Sequence, residues 1–116
     1  MRKELTIPIY DCRVDVVVVN SDEEYDDAIL DAGYNGDGNG DAITLHYTDN
    51  SSFFVMIFKR DCLSPGNIAH EGQHLLMKIM ESRGIKYDFD NQEPVAYLMG
   101  FIIDGLHQII YGNENG

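Results

Sequence analysis

The sequence contains no tryptophan, only two cysteines and three prolines, and eight Lys and Arg among 116 residues. Between Val14 and Phe58 there is no Lys or Arg, against ten Asp and Glu. Nucleic acid and anionic membranes need a basic footprint, so a formal net charge of -12 excludes both as expected partners. Cys12 and Cys62 form neither a CxxC pair nor a disulfide framework. The apolar runs, such as Val16 to Val19, Phe53 to Phe58 and, across one glycine, Ala96 to Ile103, are short. All fall far short of the ~20 residues of a membrane span. The first residues, Met1-Arg2-Lys3-Glu4, carry no apolar stretch of signal-peptide length. The expectation is a cytoplasmic protein in a reducing compartment, a monomer or small homo-oligomer.

What is present is 44% hydrophobic residue in a patterned order, which argues against disorder. A single domain over residues 1–116 would bury roughly 65% of its unfolded surface. Leu5 to Tyr10 reads as a strand, with Pro8 favouring a sheet edge. Val14 to Val19 is β-branched and suits a strand buried on both faces. Ser21 with Glu24 forms a capping box, and Tyr25, Ala28, Ile29 and Ala32 follow at helical spacing up to Gly33. Ala42 to Thr48 and Phe53 to Lys59, joined by four polar residues, predict an antiparallel hairpin. Ser64-Pro65 opens a helix that runs to about Arg83, and a last helix runs from Asn91–Pro94 to about Tyr111. The fold class is α+β: a small, mostly antiparallel sheet, an acidic helix, then two further helices.

The acidic stretch reads as a solvated face. Asn35 to Asp41 alternates oxygen-bearing side chains with glycine, as the first half of an EF-hand loop does. Its twelfth position, however, is His46 where a bidentate glutamate is required, so the segment reads as a plain loop.

His70-Glu71-Gly72-Gln73-His74 differs in kind. On a helix, four residues turn through about 400°, so His70 and His74 project from one face. Two imidazoles held this way can occupy two corners of a zinc tetrahedron. Glu71 can reach the zinc's water without ligating the metal, while Ile68, Leu75, Leu76 and Ile79 anchor the opposite face. A catalytic zinc takes three protein ligands, and Asp88, Asp90, Glu93, Asp104 and His107 lie downstream. Glu93 is preferred because it opens the last helix, and the nine residues from Gly84 can span roughly 30 Å. Glu93, Tyr97, Asp104 and His107 form a polar stripe on an otherwise apolar helix. The stripe either surrounds the metal and its ligand histidines or is an exposed helix edge.

A helix bearing HExxH, followed about twenty residues later by a glutamate on a second helix, resembles the gluzincin clan of zinc metallopeptidases. The closest likeness is to the short minigluzincins and the IrrE-like peptidases. It spans roughly Asn67 to Gly105 and, in outline, the sheet before it. The resemblance implies a zincin-like domain with zinc held by His70, His74 and Glu93, and Glu71 as general base. It departs at Tyr97, where many gluzincins carry an aspartate bonded to the first histidine. Zinc would lower the pKa of its water toward ~7, and Glu71 would move the proton to the leaving amine. Tyr97, Tyr87, His46 and His107 are candidates to stabilise the oxyanion. The substrate would be a peptide or protein laid along an edge strand, Ala42 to Thr48 or Phe53 to Lys59. Two rivals stand beside this reading: a zinc-binding but inactive regulatory module, and a metal-free domain whose acidic helix binds a basic partner.

Overall fold

The capping signals in the sequence are met in a computed structural model that describes residues 1–35, 40–48 and 50–112, without the side chains of residues 50 and 51. The Ser21 hydroxyl accepts a 3.1 Å hydrogen bond from the Glu24 amide, and helix α1 spans Asp22–Asp31. The Ser64 hydroxyl accepts from the Asn67 amide at 3.0 Å, with Pro65 in the first turn of helix α2, Pro65–Ser82. Gly84, at φ +67°, follows the end of α2. Helix α3 spans Gln92–Tyr111. Part of the glycine-rich segment weighed against a calcium loop, residues 36–39, lies outside the described residues.

Four strands, β1 (Arg2–Ile7), β2 (Cys12–Val19), β3 (Ala42–Tyr47) and β4 (Asn50–Lys59), form one sheet in the order β1-β2-β4-β3. The pairs β1–β2 and β3–β4 are antiparallel, as expected, but the central pair β2–β4 is parallel, so the sheet is mixed. The first strand begins and ends about three residues earlier than its apolar run suggests. Pro8 has no amide to give to the ladder, and Pro8 to Asp11 form a turn closed by Asp11 N–H to Pro8 C=O. Ile9 is consequently 88% exposed. Strand β4 begins at Asn50, inside the predicted linker, and a register shift at His46/Tyr47 absorbs the difference.

Both faces of the sheet are covered, which is why β2 is nearly all valine. Val14, Val16 and Val18 point with Phe54, Met56 and Phe58 into the core under α2 and α3. Val17, Val19, Val55 and Ile57 pack on the other face against Tyr25, Ala28, Ile29 and Ala32 of α1. Helix α2 lies over β3 and β4, and α3 lies over β1 and β2. Gly72 lies where the two helices meet: a Cβ there would meet Cδ1 of Ile103 at 2.7 Å, with Ile102 and Met99 just beyond. The HExxH helix therefore runs beside a sheet edge, β3. No helix among the described residues is long and apolar enough to cross a membrane.

Candidate metal centre

The burial of α2 follows its sequence period. Ile68, Leu75, Leu76 and Ile79 are buried in the core, while His70 and His74 lie on the exposed ridge. Their Nε2 atoms are 3.2 Å apart, and their rings meet edge to face with centroids 4.8 Å apart. Two nitrogens on a tetrahedral zinc, each at about 2.0–2.1 Å, stand about 3.3 Å apart. The pair thus holds the spacing that one ion requires.

Glu71 is placed differently. It turns toward β3 and is only 6% exposed. Thr44, 5% exposed on β3, donates a 2.7 Å hydrogen bond to Oε1 of Glu71 and lies 3.3 Å from its main-chain oxygen. The other oxygen, Oε2, is 4.0 Å from Nε2 of His70. Among the described residues, Glu71 has one hydrogen-bond donor, Thr44, and its second oxygen faces His70. A carboxylate so deep is costly unless a cation stands near it. His70, Glu71 and His74 form a group that could hold a metal ion, with ligand atoms within 4.8 Å of one another.

The remaining sequence candidates stand apart from this group. Gly72 faces Met99, Ile102 and Ile103 of α3, and Glu93 lies nine residues before Ile102, about 14 Å further along the helix axis. Glu93, Tyr97, Asp104 and His107 are all exposed on α3. Tyr97 is 76% exposed and lines an apolar depression with Pro8, Ile9 and Phe101, on the side of α3 that faces β1. His107 packs against Tyr111 with ring centroids 5.4 Å apart. Tyr87 is exposed on the connection before α3. His46, exposed on β3, keeps its Nδ1 3.4 Å from the Tyr34 hydroxyl, which donates to the His46 carbonyl at 2.7 Å.

Thr44 is the site residue that the sequence reading missed. Alternation along β3 puts it on the face toward α2, but nothing in the chain marks its pairing with a residue 27 positions away. No family model, curated protein or solved structure matches this chain.

Proposed function

We propose that the protein is a zinc-dependent hydrolase of peptide bonds, with zinc held by His70 and His74 and Glu71 as general base. The observation that carries this reading is the buried Glu71 carboxylate, 4.0 Å from a histidine whose Nε2 is itself 3.2 Å from a second one. Zinc bound there would acidify a water and polarise a scissile carbonyl. Glu71 keeps one oxygen free of Thr44, and through it would take a proton from the attacking water and give it to the leaving amine. An extended peptide would lie along the outer edge of β3, which no other strand among the described residues covers.

A second reading, a zinc-binding module without turnover, is favoured by one specific observation. Catalytic zinc takes three protein ligands, and Glu93 lies outside the histidine group. Elemental analysis of the parent and of His74→Ala tests the metal, with about one zinc per chain expected in the parent and almost none in the variant. A peptide-substrate screen with Glu71→Gln as control then separates the two readings. Turnover lost in Glu71→Gln with zinc retained supports the hydrolase. Zinc without turnover in the parent supports the module, and no zinc in the parent overturns both.

A further inference from the structure

We propose that Thr44 is a positioning residue that keeps Glu71 beside the metal as a base and prevents it from becoming a ligand. The inference rests on the metal-site reading above and deepens it.

Thr44 and Glu71 are both buried, and Oε1 of Glu71 takes its hydrogen bond from the Thr44 hydroxyl. Thr44 is well placed to hold its partner still. It sits mid-strand on β3, paired with Met56 of β4, and a β-branched side chain has few χ1 choices. Glu71 has three rotatable side-chain bonds and no such restraint of its own. With Oε1 fixed on Thr44, the carboxylate leaves Oε2 4.0 Å from His70 Nε2. That is wider than the about 3.3 Å between two ligand atoms on a tetrahedral zinc, so the oxygen must move to join the imidazole on a tetrahedral ion. Remove the hydroxyl, and the strongest partner left to a buried carboxylate is the cation itself. The carboxylate would then swing onto the metal and occupy the position that a water needs.

The test uses cobalt(II) in place of zinc, because its visible absorption reports coordination number and geometry. The metal is titrated into the full chain as parent, Thr44→Val, Thr44→Ser and Thr44→Val/Glu71→Gln. The expected result is that Thr44→Val binds cobalt about tenfold tighter, with a shifted visible band as a carboxylate oxygen replaces water on the metal. Thr44→Ser should restore the parent spectrum, because it restores the hydroxyl. The double variant should lose both changes, because a neutral amide is a poor ligand. If Thr44→Val proves unfolded by circular dichroism, Thr44→Ala replaces it in the same comparison. Identical spectra and affinities in the parent and the hydroxyl-free variant overturn the proposal, as does a change that survives Glu71→Gln. Failure of the parent to bind cobalt or zinc is a separate outcome that sinks the metal site and this inference with it.

Discussion

The phenol of Tyr47 on β3 donates a 2.6 Å hydrogen bond to Oδ2 of Asp15 on β2, although β4 runs between the two strands. Arg2 of β1 closes the cluster, donating to the same Asp15 oxygen at 3.0 Å and to the Tyr47 hydroxyl at 2.6 Å. One polar cluster thus ties three of the four strands together on the face of the sheet that carries α1.

That cluster has a pH signature. Burial, then the hydrogen bond and charge of Asp15, push the Tyr47 phenol from its ordinary 10.0 up to about 12, against the opposing pull of Arg2. The folded chain therefore holds this proton more tightly than the unfolded chain does. The stabilisation is complete below about pH 10 and is lost as the pH rises from there to about 12. Denaturant titrations of parent and Tyr47→Phe should show a stability difference that is constant up to pH 9 and shrinks above pH 10. A constant difference through pH 11 would contradict the assignment.

The contact of α2 with α3 predicts a graded response at Gly72. An added methyl meets only the tip of Ile103, which can rotate, and alanine favours a helix by about 1 kcal/mol over glycine. Gly72→Ala should therefore be nearly neutral. Gly72→Val adds branched bulk where the tip cannot clear it and should cost about 1–3 kcal/mol. Urea midpoints of the two variants check the ordering.

Arg83, just past α2, binds the turn between the first two strands. Its guanidinium donates to the Tyr10 carbonyl at 2.7 and 3.0 Å and approaches the Cys12 sulfur at 3.1 Å. Arg83→Met keeps the stem and removes these bonds, and should destabilise by about 1.5–3 kcal/mol. Arg83→Lys should recover only part, because an ammonium cannot reproduce the two-pronged contact. Thermal or urea unfolding of the pair decides it.

Zinc should raise the unfolding temperature of the parent, since an ion bound only to the folded chain at 100 times its Kd contributes about 2.7 kcal/mol. His74→Ala should abolish the shift, because it removes one of the two nitrogens 3.2 Å apart. Glu93→Gln should leave the shift intact, because Glu93 lies outside the group. A lost shift in Glu93→Gln would mean that α3 rearranges to complete the site.

Features written in a few neighbouring residues survive from sequence to structure. The caps at Ser21 and Ser64 and the projection of His70 and His74 from one face of α2 depend on local geometry alone. The two-faced burial of β2 was also legible, because six residues from Val14 to Val19 include five valines. The first strand was misplaced because Ile9 and Tyr10 look β-prone in isolation. Pro8 and the left-handed backbone of Asp11, φ 50°, instead put them in a turn.

Only the tertiary structure decided which distant residues meet. No local pattern distinguishes a parallel β2–β4 pair from a meander, since register between strands is set by the faces that the helices bury. The reach of the chain allowed Glu93 to approach the histidines, but reach is an upper bound. The packing of Gly72 against Met99, Ile102 and Ile103 fixes α3 so that its first turn lies elsewhere. Thr44 met Glu71 because α2 docks over β3, a relationship that belongs to neither segment alone. The sequence by itself determined the helices, their caps and the pair of imidazoles, since those follow from bonds and rotations within a few residues. The partners of that pair came from side-chain packing between elements, which depends on shape across the whole core.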